Sequence, residues 1–328
     1  MLVLFSGLRI EFNDTANYLR GFRQASGLKE FLLNPKNLNI FKNPLFYAFQ
    51  CLLRDFTDNA QMLVFLTSLF NQVCFIYFLK RYSRNFTFSI FLYIATGTFS
   101  LTLAAMKQVT AMAVLTLAVP LLERRKWIRY YCVVFIAMLI HTYAIAFAVL
   151  PLFGRRPWKL FTYLFTVAVI VLMMNFQDVI SELLDQADEL GKSIAAYEVF
   201  DDNTINIFRI AVYAVAPLIS FVFQHWIFKE SSTAQNVLVH MSIISLAFMV
   251  MGTQSGANMF GRMANYFELG TVCVLPWMLQ QTFNKRSYRL VSAIAIVCYL
   301  GFFIYANGIH GSFDRGYNAT SILRLFLS

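Results

Sequence analysis

Apolar runs close to twenty residues long follow one another along the chain, and its charges collect in the short loops between them. A helix rises ~1.5 Å per residue, so about twenty residues cross the ~30 Å hydrocarbon layer of a bilayer. The runs fall near 61–79, 86–104, 107–122, 130–153, 158–175, 206–228, 236–253, 263–281 and 290–307. Only 13% of the 328 residues are charged and 59% are apolar, against about a quarter charged in a soluble chain. The fold expected is therefore all-α, a polytopic transmembrane helical bundle, with residues 1–328 forming a single integral membrane domain. The same composition excludes disorder, collagen and coiled coil.

Five basic clusters separate the runs: Lys80/Arg81/Arg84, Arg124/Arg125/Lys126/Arg129, Arg155/Arg156/Lys159, Lys229 and Lys285/Arg286/Arg289. They hold 14 of the 27 basic residues and two of the 17 acidic ones. The positive-inside rule assigns all five to the cytoplasm. Topology thus accounts for the net charge of +10, and no nucleic-acid partner is expected.

The run 130–153 breaks the alternation, because basic clusters flank it on both sides. It is expected to turn back near His141-Thr142 as a broken helical hairpin; the alternative is one full helix that violates the charge rule. Broken backbone at membrane depth is tolerated only where it is buried in protein or lines a watery cavity. With the hairpin in place, residues 9–60, the 104–107 turn, the acidic loop 176–205, residues 254–262 and the tail 308–328 fall on the outer, periplasmic side.

Within 9–60, seven basic residues oppose the rule, and Asn43-Pro44 followed by Leu45 to Leu53 reads as a short interfacial or re-entrant helix. Met1 to Gly7 is too short to cross and reads as a clipped first helix. Residues 178–190 place apolar side chains at 179, 180, 183, 184, 187 and 190 before Gly191, the pattern of an external amphipathic helix.

Ionisable groups in or at the outer ends of spans are costly in lipid and are functional candidates by default. Lys107 and Gln108 sit at the turn joining two runs, Arg262 opens a helix, Arg9 and Asp14 follow the first stub, and His141 marks the hairpin. They come from distant parts of the chain, yet the charge-derived topology puts them all near the outer leaflet, as one shared anion pocket requires. The plainer readings are that Lys107 and Arg262 snorkel to headgroups, that His141 is a packing residue, and that Arg9 pairs with Asp14 at the surface.

Gly-x-Gly-x-x-Gly, Walker, His-Glu-x-x-His and Cys-x-x-Cys motifs are absent, so no cofactor is expected. Cys51, Cys74, Cys132, Cys273 and Cys298 lack metal-like spacing, and neither a disulfide framework nor a metal is expected. Asp201-Asp202, an adjacent acidic pair in an outer segment, reads as a solvated loop.

Six short motifs, in order, carry a resemblance: Ser6-Gly-Leu-Arg9; Asp14 with Tyr18; Pro44-Leu-Phe-Tyr47; Lys107-Gln108 with Ala111; His141-Thr-Tyr-Ala144; and Gly261-Arg262 with Tyr266-Phe267. In order and spacing the chain resembles the EpsG family of exopolysaccharide polymerases and the Wzy-type O-antigen polymerases. It departs from them in having Lys107 where Arg is usual, Asn43 where an acidic residue is usual, Tyr143 where Ser is usual, and an incomplete first helix. Lys keeps the charge of Arg but not its fork, and Asn43 leaves no carboxylate there to act as a base.

The resemblance implies a GT-C-like membrane glycosyltransferase in the bacterial inner membrane, acting on undecaprenyl-diphosphate-linked oligosaccharide donor and acceptor at the outer face, among membrane lipid and with room for a chain-length regulator as partner. Arg9, Lys107, Gln108 and Arg262 would bind the diphosphate. His141, Asp14 and Arg262 would act in catalysis, and Tyr18, Tyr266 and Glu268 would contact sugar. The competing classes are a lipid-linked oligosaccharide flippase or other transporter, an O-antigen ligase and a membrane acyltransferase.

Overall fold

The computed structural model describes residues 1–153, 156–175, 204–254, 256–309 and 318–319. The chain is an all-α, multi-pass helical bundle. Four of its described helices are long and apolar enough to cross a membrane alone, and one bent pair adds a fifth. The amphipathic segment 178–190, Asp201-Asp202 and most of the tail 308–328 lie outside the described residues.

The described chain divides into two compact units, the first made of Met1–Arg81, Phe86–Ala148 and Val297–Ser328. It opens with the stub α1 (Leu2–Gly7), the short strand β1 (Arg9–Glu11), α2 (Thr15–Arg23), α3 (Leu28–Leu33) and α4 (Pro44–Arg54). β1 pairs antiparallel with β2 (Asn318–Ala319). The first long helix, α5 (Gln61–Tyr82), begins where the Asn59 side-chain oxygen accepts from the Gln61 amide at 2.9 Å. It ends in Lys80 and Arg81, whose charge suits the negative end of a helix, and Arg81 lies 3.6 Å from Glu123.

A 52° bend divides α6 (Phe86–Ala95) from α7 (Thr98–Ala104). It falls at Gly97, whose φ of +90° a side chain would resist. After Ala105 the chain re-enters a helix as α8 (Met106–Leu115), continued by α9 (Ala118–Glu123), and α10 (Trp127–Ile140) follows.

Helix α10 stops at His141, where the backbone is extended, and a 3-10 segment runs from Thr142 to Phe153. The Tyr130 hydroxyl donates to the Phe147 carbonyl, and the two rings stack 6.5 Å apart. One continuous helix would hold residues 130 and 147 about 25 Å apart. The chain therefore reverses at the break, as a hairpin requires and a single full helix forbids.

The second unit comprises Tyr82–Asn85 and Val149–Ile296. It contains α11 (Leu160–Met174), α12 (Ile207–Val222), the single turn α13 (Gln224–Ile227), α14 (Thr233–Met251), α15 (Ala257–Asn265) and α16 (Glu268–Thr282), and it ends within α17 (Lys285–Ile304). A reciprocal Ser232–Gln235 capping box starts α14. Most of α14 is buried, because α12, α15 and α16 all pack on it.

The expected span 263–281 resolves into α15 and α16, separated at Tyr266-Phe267. Arg262 accordingly lies in the last turn of α15 and does not open a helix. The start of α15 escaped a reading based on apolar runs because Asn258, Gly261 and Arg262 interrupt its hydrophobic face.

Helices α14 and α16 approach closely at Gly270, where a Cβ would fall 2.5 Å from the Met241 Cβ and 2.8 Å from the Leu238 carbonyl oxygen. Backbone on one side and a branch-point carbon on the other leave little room to yield. Gly270→Ala is expected to destabilise the second unit by about 1–3 kcal/mol, read as a lower melting midpoint of the purified protein; an unchanged midpoint would mean that the two helices do not meet in this way.

Candidate functional site

The break at His141 is closed by a residue a hundred positions away. In a continuing helix the Thr142 amide would bond to the Met138 carbonyl. Here it donates to the Asn43 side-chain oxygen at 3.1 Å. The Thr142 hydroxyl lies 3.3 Å from that same oxygen and 3.1 Å from the Phe41 carbonyl. Asn43 has φ 55° and ψ 48°, a left-handed conformation in which Asn is among the better-tolerated residues, and Pro44 behind it opens α4. The acceptor at position 43 is what the break needs, and a carboxylate would supply it equally well.

Asn43 and Tyr47 are four residues apart and so share one face of the first turn of α4. Lys107, the second residue of α8, donates from Nζ to the Tyr47 hydroxyl at 3.2 Å, with its ammonium 5.1 Å from the ring centroid. The helix break and the Lys107 charge are thereby brought to two points about one helical turn, ~5–6 Å, apart along α4. Helix α10 packs on both α4 and α8 around these points. His141 is buried, with its ring edge-on to Tyr143 at 5.4 Å, and Gln108 is buried beside Lys107. Lys107 itself is half-buried and has no carboxylate partner among the described residues.

One further candidate, Tyr18, reaches this cluster through aromatic contacts. Tyr18 meets Phe46 edge-on at 5.9 Å, and Phe46 meets Tyr47 at 6.0 Å. Asp14, half-buried at the N-cap of α2, precedes Tyr18 by four residues and shares its face.

Arg9 is placed differently. Its side chain is 1% exposed, and its guanidinium donates to the Ser6 carbonyl, to the Ser68 hydroxyl at 3.0 Å and to the Thr15 hydroxyl at 3.1 Å. Its own carbonyl accepts from the Gln61 side chain at 2.9 Å. These bonds tie α1, α2 and α5 together, so Arg9 works inside the core and does not line a surface.

Arg262, Tyr266 and Glu268 belong to the second unit. Arg262 is half-buried and donates from Nε to Asn258 at 2.8 Å, one turn back on α15. Tyr266 is buried, and Glu268, 2% exposed, is the first residue of α16, where the helix dipole favours a carboxylate. Its Oε2 has no hydrogen-bond partner among the described residues. Arg209 and Tyr213 on α12 act on this carboxyl. Both also reach the Asn265 side-chain oxygen, at 3.4 and 3.2 Å, and the Arg209 guanidinium lies 5.8 Å from the Tyr213 ring centroid.

Sequence reading missed Arg209, Tyr213 and Asn265 as a group. Arg209 is an ionisable residue near the start of an apolar run, so the rule that selected Lys107 selects it as well. Tyr47 was visible as part of a motif, but its bond to Lys107 had no sequence signal. Among the described residues, no three His, Cys, Asp or Glu side chains gather in a way that could hold a metal ion.

A family model described as the EpsG family matches residues 1–313. No curated protein and no solved structure matches the chain.

Asn43→Ala removes the acceptor for a part-buried amide, costing about 0.5–1.5 kcal/mol, whereas Asn43→Asp keeps it. The alanine variant should melt well below wild type and the aspartate variant close to it. Equal melting of all three would show that the break does not depend on this side chain.

Proposed function

From the premise that the chain belongs to the EpsG family, we propose that it joins undecaprenyl-diphosphate-linked oligosaccharide repeat units into polysaccharide. Family membership supports a polysaccharide-polymerase-like role in a multi-pass membrane protein; substrate, chemistry and sidedness are our reading. The observation that carries it is Lys107, a half-buried cation without a carboxylate partner among the described residues, held by a phenol beside a broken helix.

The reaction moves a growing glycan onto the next repeat unit. A hydroxyl oxygen of the acceptor sugar attacks the anomeric carbon of the donor, the bond from that carbon to the lipid diphosphate breaks, and the hydroxyl proton leaves to a base. Charge develops on the departing diphosphate, so fixed cations in a poorly solvated site lower the barrier. Lys107 takes that part in the first unit, with Gln108 beside it, and Arg262 takes it in the second. His141 or Asp14 accepts the proton. Tyr18, Tyr266 and Glu268 hold sugar hydroxyls, and Arg209 and Tyr213 position Glu268. Arg9 acts as a positioning residue, fixing the start of α2. The five basic loops face the cytoplasm of an inner membrane, which puts the reaction on the outer face. A chain-length regulator is a partner such a product would call for.

Purified protein in nanodiscs, supplied with labelled lipid-linked repeat, should produce a ladder of polymer; a transporter or flippase forms no glycosidic bond and would give none. Lys107→Ala and Arg262→Ala should each reduce polymer by about 10²–10³-fold while still inserting in the membrane, and wild-type chain lengths in both would remove the diphosphate role of these cations. EDTA should leave the ladder unchanged, because the proposed leaving-group stabilisation comes from side chains; strict dependence on a divalent ion would contradict it.

A further inference from the structure

The first unit holds a cavity of about 390 Å³ on the other side of α2 from the Lys107 cluster. Ala16, Leu19, Arg20 and Arg23 line it from α2, Glu11 from β1, and Asn59 from the approach to α5. The four α2 residues fall at helical spacing on a single face, whereas Tyr18 points the other way onto Phe46. One nine-residue helix thus separates two polar sites.

The cavity is built for an anion that also carries hydroxyls. Arg20 and Arg23 are exposed, and neither side chain makes a hydrogen bond or ion pair among the described residues. They stand one turn apart, so two planar guanidinium forks can meet a carboxylate. Ala16 and Leu19 offer apolar surface for the C–H face of a sugar ring, and Glu11 offers an acceptor for its hydroxyls. A bare phosphate or a phospholipid headgroup would gain the cations but meet the Glu11 charge without hydroxyls to satisfy it. The volume falls within the ~300–1,000 Å³ range of small-ligand sites.

Topology adds an independent reason. Segment 9–60, which the charge pattern assigns to the exterior, carries seven basic residues against the positive-inside rule. Arg9 is used in the core and Arg54 pairs with Asp58. Arg20 and Arg23 have neither use, and both open onto the cavity.

We propose that this cavity binds an acidic sugar, a hexuronic acid or another carboxylate-bearing residue of the glycan, as a subsite that holds the saccharide chain away from the reacting centre. The assignment rests on the polymerase reading for its biological ligand, but binding is measurable without polymerisation. Full-length protein in nanodiscs of neutral lipid is titrated by calorimetry with a tetrasaccharide of glucuronic acid and with cellotetraose. The acidic tetrasaccharide should bind at least tenfold more tightly, and Arg20→Gln with Arg23→Gln should abolish that preference, while Arg20→Lys with Arg23→Lys retains part of it. Equal affinity for the two tetrasaccharides, or an unaltered preference in the glutamine variant, overturns the proposal. So does displacement of the acidic tetrasaccharide by phosphatidylglycerol added to the nanodiscs, since the cations would then be reading headgroups. Transfer of labelled repeat without acidic preference refutes the subsite alone, whereas acidic preference without transfer upholds the subsite and refutes the polymerase reading.

Discussion

A helix that breaks strands the next amide along, and in the first unit the Thr142 amide just past His141 is met by a side chain from another helix entry. An amide left without a partner costs up to about 1–3 kcal/mol when fully buried, and the Thr142 amide is part-buried. The Asn43 side chain meets the Thr142 amide and can hold that position only because Asn tolerates the left-handed backbone at the entry to α4. Once Asn43 is pinned, the first turn of α4 is pinned with it. Tyr47, on the same face, then has a fixed place, and Lys107 is held against it at 3.2 Å. A requirement of backbone hydrogen bonding thus becomes, through one helical turn, a fixed position for a charge.

The buried polar residues fall into two kinds. Some are fully engaged: Arg9 donates to a carbonyl and two hydroxyls, and Gln72 links the Thr102 and Tyr93 hydroxyls at 3.1 and 3.0 Å. These groups carry the structure of α1, α2, α5 and α7. Others stop short of full engagement: the Glu268 Oε2 and both His240 ring nitrogens are among the buried atoms with no hydrogen-bond partner among the described residues, and the half-buried Lys107 has no carboxylate there. Arg9 shows that this chain can saturate a buried cation when only stability is at stake. Where it leaves a cation such as Lys107 on a fixed scaffold without a carboxylate, an anionic ligand is the natural complement.

Much of this was legible in the sequence. Apolar run length gave the bundle, and basic loops on both sides of 130–153 required a reversal that the Tyr130–Phe147 contact bears out. What stayed hidden was pairing at long range. Nothing local ties Asn43 to Thr142 or Tyr47 to Lys107, since each bond joins segments separated by 60 to 99 residues. A lone Arg after an apolar stub gives no hint of the hydroxyls, Ser68 and Thr15, that fold over Arg9. Arg209 was overlooked for the opposite reason, because a strongly apolar run around it drew attention to the span and away from its one charge. The apolar-run criterion also hid α15, whose polar interruptions split what the sequence presents as a single crossing.

Lys at position 107, where the resemblance leads one to expect Arg, acquires a physical meaning from its neighbour. An Arg fork could grip two phosphate oxygens by itself, whereas an ammonium is a point charge with three donors and a mobile stem. In this chain Tyr47 takes one of those donors and fixes the stem, leaving two directed away from the ring. The Tyr47 hydroxyl, having accepted from Lys107, keeps its own proton to donate. Under the polymerase reading the pair together presents three donors to a diphosphate, with the phenol standing in for the part of the fork that Lys lacks. Position 43 fits the same logic: the Asn43 side chain supplies the acceptor that the Thr142 amide needs without placing a negative charge one helical turn along α4 from Tyr47, the partner of Lys107, where it would weaken the ammonium's field.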